Sequence, residues 1–426
     1  MKCINCYSKK LKKIFTLGSQ PISSAFYTHK KINLKKYPLN LFECSRCKLV
    51  QFSTKTPVSE MYGSNYGYKT SLSTNMIKHL YKKYLRYSKK IDFKNNSNII
   101  DIGSNDGSFL NFFASKSKNL QIFGIDPSAQ VFKNNYKKNI FLINDFFSKR
   151  KLSNFIKKNK LKTKKFSLIT SFAMFYDLLK PNVFCKDVND ILSEDGLWIS
   201  EFSYFPLLLK NLTYDQICHE HVAYYTLTSF KKIIEKNSLK IIDFTINEIN
   251  GGSIEVVCAK KNSYHKINKK KILNQIILEK KINHAAYRRF GQRVDNVKNN
   301  IISFLKMNSN DVVGYGASTK GNVILNHCKI SNKDLPLICD ANKFKINKYT
   351  PGSNIKIISK EKMRKMKPEY LFVLIWSFRS EVIKEEIKYI KKGGKLVFPL
   401  PKFHIVDKQN YKKYLKKKIN SESFDL

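Results

Sequence analysis

The chain reads as an α/β protein in which a small cysteine-bearing unit precedes two doubly wound, parallel-sheet parts. Three observations predict this. Two Cys-x-x-Cys pairs, Cys3 with Cys6 and Cys44 with Cys47, bracket the first part. An apolar run ending in an acid and a glycine turn, Asn98-Ile-Ile-Asp101-Ile-Gly103-Ser-Asn105-Asp-Gly107, passes directly into a helical pattern with Phe109, Leu110 and Phe113. A second strand and glycine turn follows at Val312-Val-Gly314-Tyr-Gly316-Ala-Ser-Thr-Lys320-Gly321. Strand, turn and helix repeated in this way build open sheets with helices on both faces.

Composition narrows the class. At 426 residues the chain is long enough for two or three domains, each with its own apolar interior. A formal net charge of +47 would ordinarily point to nucleic acid or an anionic membrane surface. The lysines are instead spread along the chain, as at Lys31, Lys89, Lys157, Lys269 and Lys416, beside heavy use of Asn and Ile that marks a coding bias toward A and T. No nucleic-acid partner is expected, and the surplus charge favours a phosphorylated or otherwise acidic substrate. No apolar run approaches the roughly 18 residues needed to cross a bilayer, and the first residues lack the apolar core of a signal peptide. The reading therefore expects a cytoplasmic protein without membrane insertion, in which clustered cysteines are metal ligands rather than disulfides.

The first part, residues 1–70, is expected to be a zinc-binding domain. Each Cys-x-x-Cys turn aims two thiolates at one point, and two such turns make a tetrahedral four-sulfur site. A closed shell of Cys3, Cys6, Cys44 and Cys47 leaves no open position, so the zinc is structural. Leu49-Val-Gln-Phe52 reads as a short strand. The segment Tyr62 to Ser71, rich in tyrosine and broken by glycine, suits a lid or substrate wall. Leu72, Met76, Leu80 and Tyr84 then follow helical spacing.

Residues 71–262 carry the cofactor logic. Gly103 and Gly107 are four apart, so the dinucleotide fingerprint is not met, but the turn still lies at the carboxyl end of a first strand, where such sheets bind ligands. Gln121-Ile-Phe-Gly-Ile125-Asp126 is a second strand ending in an acid, placed to bond ribose hydroxyls. Ile140 to Ile143 leads to Asp145, at the end of a third strand that could reach an adenine. Strand, glycine turn, helix, strand and acid together predict an S-adenosylmethionine site holding Asp101, Gly103, Asn105, Gly107, Asp126 and Asp145. Further strands are expected at Phe166–Thr170, Gly196–Phe202, Ile241–Ile246 and Ser253–Cys258, the last two joined by the Asn250-Gly-Gly turn. Between them lies Tyr214-Asp-Gln-Ile-Cys218-His219-Glu220-His221-Val-Ala-Tyr-Tyr225, the densest group of proton-handling side chains in the chain.

The paired cysteines, Leu17-Gly-x-x-Pro21, Asp101-Ile-Gly-Ser-Asn-Asp-Gly107, Asp126-Pro-Ser128, Met174-Phe-Tyr-Asp-Leu178, Gln216-Ile-Cys-His-Glu-His221 and Asn250-Gly-Gly-Ser253 together resemble the zinc-containing sugar C-methyltransferases that act on nucleotide-linked keto-deoxysugars. The resemblance implies a Rossmann-like methyltransferase sheet and a second Rossmann-like domain over 306–410; the residue pattern itself suggests a helical linker over 263–305 and a lysine-rich basic tail, 411–426, expected to fray. The resemblance also implies a catalytic base at the last histidine of the run, His221, which would remove a proton beside a ketone so that the enolate attacks the methyl of S-adenosylmethionine. Glu220 is the second polar group, with His219 and Tyr68 orienting the sugar or bonding its oxygen. Cys218 stands where the family's run has tyrosine, a departure that bears on substrate and hydrogen-bond pattern. A hydroxyl acceptor, and a non-catalytic assembly protein that binds the cofactor, are the competing readings.

Overall fold

The computed structural model describes residues 1–31, 33–54, 56–61, 69–90, 97–116, 120–163 and 165–426. In chain order the strands are β1 (Leu11–Pro21), β2 (Lys36–Cys44), β3 (Val50–Phe52), β4 (Asn98–Ile102), β5 (Gln121–Ile125), β6 (Ile140–Ile143), β7 (Phe166–Phe172), β8 (Leu192–Ser203), β9 (Ala223–Tyr224), β10 (Leu239–Asn247), β11 (Ser253–Lys260), β12 (Val312–Tyr315), β13 (Leu337–Asp340), β14 (Lys356–Ser359), β15 (Tyr370–Val373), β16 (Lys395–Phe398) and β17 (His404–Val406).

Three sheets result. The first has the order β1-β2-β3-β9, the second β10-β11-β8-β7-β4-β5-β6 and the third β14-β13-β12-β15-β16-β17. In the second, β4 to β8 run parallel, and their apolar runs are covered on both faces. The antiparallel β10–β11 hairpin extends its edge, turning through Asn250 and Gly251 at φ +56° and +87°. Strand order reverses between β4 and β7 here and between β12 and β15 in the third sheet, the positions where doubly wound folds bind ligands.

The cysteine-bearing sheet is completed by the middle of the chain. β3 pairs with β9, Val50 opposite Tyr224, so the histidine stretch is fastened to the first sheet. That sheet also reaches the third, since Asn322 donates to the Ser23 carbonyl (2.7 Å) and Tyr27 bridges to Tyr349.

The stretch after Cys258 carries a helix, Lys269–Glu279, capped by Asn268, in which Ile272 packs against the second sheet and Lys271 reaches Asp243. Its last residue, Glu279, is buried and accepts from Leu227 N (2.6 Å) and Thr228 N (2.9 Å), capping the helix Leu227–Lys236. A second helix, His284–Asn308, follows a break capped by Asn283. The basic tail does not fray. Glu422 is buried against Arg379 and Lys417, and Asn420 N donates to Glu248 (3.0 Å), because one carboxylate in the tail pairs cations that burial would otherwise penalise. Leu72, expected on the helical face, is exposed in a preceding turn; the helix begins at Thr74 with Ser73 as its cap.

Candidate functional site

Cys3, Cys6, Cys44 and Cys47 come together as the spacing requires. Their four sulfurs lie within 4.8 Å of one another. Two sulfur pairs stand 3.4 and 3.5 Å apart. A tetrahedron with metal–sulfur bonds of about 2.3 Å has edges of about 3.8 Å, so the donor set fits zinc. The tight turns come from Tyr7 and Lys48, both at positive φ, with Tyr7 N donating to the Cys3 carbonyl and Lys48 N to that of Cys44.

The glycine turn is built as the sequence predicts. Gly103 and Gly107 have φ of +81° and +74°, and a Cβ on Gly107 would lie 2.7 Å from the Tyr136 ring, so the backbone approaches where side chains cannot. Asp101 is buried at the end of β4, where burial pushes its carboxyl up to about 7 against a hydrogen bond from Thr170 (2.6 Å). Asp126, beyond β5, accepts from Asn105 N (2.9 Å), Ser128 N (2.7 Å) and the Ser128 hydroxyl. A carboxylate has about four acceptor positions, which leaves one for a ribose hydroxyl and fits the expected cofactor. Asp145, beyond β6, accepts from Phe146 N and Lys151. Asn105 and Asp106 hold the preceding segment over the turn, through Thr70 N (3.0 Å) and Ser71 N (2.9 Å). Tyr68 and the rest of Tyr62–Tyr68 lie outside the described residues.

The histidine stretch is buried throughout. His219 Nε2 bonds the Gln20 carbonyl of the first sheet (3.1 Å), and burial lowers its pKa. The His221 ring lies 4.1 Å, centroid to centroid, from that of Tyr176, in the segment after β7. Met174 of the same segment touches the position of a Cβ on Gly103 at 3.1 Å, linking this histidine to the cofactor turn. Burial, then the Lys320 ammonium, push the His221 imidazole down to about 3, so it is neutral at ordinary pH. Among the described residues, His219 Nδ1, His221 Nδ1 and both oxygens of Glu220 are buried without a hydrogen-bond partner. Three consecutive polar side chains left open in this way are costly unless a ligand completes them.

Sequence reasoning missed three groups. Lys83 is buried between Glu201 (2.8 Å) and Glu255, with His79 on Glu201 (2.9 Å) and Tyr87 on Glu255. Nothing local announces this cluster, because its members are far apart in sequence. Asp215 accepts from Trp376 Nε1 of the third domain (2.8 Å), and burial pushes its carboxyl up to about 6. Lys320, visible in sequence only as part of a weak glycine motif, faces the histidine stretch from the same domain.

Residues 3–62 match the family described as "Putative zinc binding domain", residues 73–243 that described as "Methyltransferase domain", and residues 248–401 that described as "C-methyltransferase C-terminal domain". A curated relative, C-methyltransferase NovU of Streptomyces niveus, is 25% identical over 381 residues, covering 88% of this chain and 89% of its own. Among solved structures, the PH0226 protein from Pyrococcus horikoshii OT3 is 16% identical, with a TM-score of 0.34 over 45% of this chain and 94% of its own. A SAM-dependent methyltransferase from Anabaena variabilis ATCC 29413 is 13% identical, with a TM-score of 0.33 over 42% and 83%. The family matches follow one another in chain order from the four-cysteine cluster to the third sheet, and the chain belongs to the S-adenosylmethionine-dependent C-methyltransferases that carry an N-terminal zinc-binding domain.

Proposed function

We propose that the protein methylates carbon beside the ketone of a nucleotide-linked keto-deoxysugar, with His221 as the base. The supporting observation is the buried, neutral imidazole of His221, whose Nδ1 has no partner among the described residues and which is joined through Tyr176 and Met174 to the cofactor turn. A neutral imidazole can take a carbon-bound proton, and the Gln216 carbonyl favours the imidazolium that results, with Glu220 as the second polar group of the stretch. Asp126 and the Gly103–Gly107 turn would hold the cofactor, with Asp101 supporting the turn and Asp145 closing the adenosine end. When bound, S-adenosylmethionine supplies a methyl group already activated by its sulfonium. The chain's own task is therefore to bind the sugar, take the proton, stabilise the oxygen and exclude water. The strongly basic composition suits the diphosphate of such a substrate. None of the nine cysteines is in a disulfide, which supports a cytoplasmic, reducing setting.

The test is mass spectrometry of nucleotide-linked keto sugars incubated with the protein and labelled methyl donor, beside solvent deuterium exchange at the carbon next to the ketone. His221→Asn should keep cofactor affinity and lose roughly 10²–10⁴-fold in turnover. Methylation of a hydroxyl without carbon exchange would overturn the reading in favour of an oxygen acceptor. Cofactor binding with no transfer to any sugar would favour a non-catalytic role.

A further inference from the structure

The third sheet ends β12 in a glycine turn and opens the helix Thr319–His327, the arrangement that in a nucleotide-binding domain receives phosphate. Here that crevice is filled from within. A Cβ on Gly316 would lie 2.6 Å from Ile375, so the isoleucine already occupies the space above the turn. Lys345 donates to the Ala317 carbonyl (2.8 Å) and lies 3.9 Å from Asp340, the acid at the end of β13. The Ser318 hydroxyl takes Gly321 N (2.9 Å).

The helix is instead turned toward the methyltransferase site. It packs on the turn Tyr214–Gln216, and at its far end the His327 ring lies 5.5 Å from that of Tyr214. In its first turn stands Lys320, half-buried, with no hydrogen bond or ion pair on its ammonium among the described residues. Asp215 and His221 both feel its charge, and among the described residues Asp215 Oδ1, His221 Nδ1 and both Glu220 oxygens are buried without a hydrogen-bond partner. Asp215 and Cys218 favour the ammonium form of Lys320, against a burial that lowers its pKa.

We propose that Lys320, delivered by the C-terminal domain, donates a hydrogen bond to the substrate's ketone oxygen and holds it as an enolate oxygen while His221 takes the proton. The proposal rests on the proton-abstraction reading above. In that step the carbon–hydrogen bond breaks and the proton goes to the imidazole. The bond's electron pair becomes the carbon–carbon double bond, and the carbonyl pair moves onto oxygen, where the ammonium meets it. The Lys320 proton stays on nitrogen, and the ketone re-forms when the carbon is methylated. A cation fixed where negative charge develops, in a site closed to water, lowers the barrier without reorganisation. Around His221 the Tyr176 ring lies 4.1 Å away, centroid to centroid, the Gln216 carbonyl favours the protonated imidazole, and the Lys320 ammonium of the third domain disfavours it, with Cys218, His219 and Glu220 its neighbours in the chain. Lys320 thus has a second effect, adding to burial in keeping the imidazole unprotonated.

The experiment compares wild type, Lys320→Met, Lys320→Arg and His221→Asn. A thymidine-diphosphate-linked 4-keto-6-deoxyhexose in deuterium oxide, without methyl donor, is the probe. Lys320→Met should lose roughly 10²–10³-fold in the exchange rate, the usual effect of removing one oxyanion donor, with KM little changed and partial recovery in Lys320→Arg. Independently of any substrate, the His221 imidazole, assigned in NMR by its absence in His221→Asn, should titrate at higher pH in Lys320→Met. Unchanged exchange, an unshifted His221 titration, or a loss confined to KM, which would mark Lys320 as a phosphate contact, each overturn the proposal. No exchange in wild type, or full exchange in His221→Asn, instead removes the proton-abstraction reading on which it stands.

Discussion

The second and third sheets begin alike and end differently. Both run a strand into a glycine at positive φ and a helix, both put an acid at the end of the next strand, and both reverse strand order beside that turn. In the second sheet Asp126 receives its hydrogen bonds from Asn105 and Ser128 and keeps an acceptor position. In the third, Ile375 and Lys345 occupy the equivalent space. The comparison teaches that a strand–glycine–helix turn is a packing solution first. Whether it binds a ligand depends on which side chains the rest of the chain sends over it.

The largest expected effect concerns the domain that touches both sheets. Cys44→Ser should abolish retention of one zinc per chain, since structural zinc contributes on the order of 10 kcal/mol in small domains. Metal analysis and limited proteolysis should report an opened N-terminal sheet, with the Val50–Tyr224 pairing and the His219–Gln20 hydrogen bond lost. Full zinc in the variant would remove Cys44 from the ligand set.

Next come the charges buried in each half. Lys83→Met leaves buried Glu201 with His79 and buried Glu255 with Arg86 and Tyr87, and should cost about 3 kcal/mol in denaturant unfolding. Arg364→Ala in the third domain, whose guanidinium is nearly half exposed and whose buried partner Glu386 keeps the Tyr315 hydroxyl, should cost less, about 1–2 kcal/mol. Equal losses would break the contrast. The pH dependence follows from the same cluster. Burial alone would raise the Glu201 carboxyl, but Lys83 and His79 hold it well below the usual range. It therefore contributes stability that is present above the unfolded carboxyl pKa of about 4.3 and is lost as pH falls further. In Lys83→Met the acid limb of the stability curve should move to higher pH.

Asp126→Ala should weaken S-adenosylmethionine binding by about 1.5–3 kcal/mol through loss of a charge-assisted ribose contact, read by calorimetry. Asp340→Ala should leave it unchanged. The effect at Asp101 is read in pH dependence. Its carboxyl is raised to about 7 by burial, so it opposes folding increasingly as pH climbs from about 4 toward 7. Asp101→Asn should gain stability relative to wild type across that interval and show no difference below it.

The zinc ligands, the cofactor turn and the strand alternation were legible because each is written within a few residues: cysteine spacing, a glycine at positive φ, or an apolar run bounded by turn formers. The histidine stretch was legible as a concentration of polar groups, and the structure adds its burial and its neighbours. Lys83 was illegible, since it stands on a helix whose pattern marks only apolar positions, and its partner Glu255 is 172 positions away. The tail was misread for a related reason. Its lysines predict solvation, and nothing in its own sequence announces that Glu422 meets Arg379.

By itself the sequence determined the elements and the chemistry available at their ends, because backbone conformation at a turn and periodicity along a strand or helix are set by near neighbours. Only the tertiary structure decided which of two similar glycine turns stays open, which carboxylates meet Lys83, and that Lys320 of the last domain stands beside His221 of the middle one. Those outcomes depend on which distant side chains share a desolvated volume. There a charge is tolerated only beside a partner, and an open polar atom marks the place a ligand must fill.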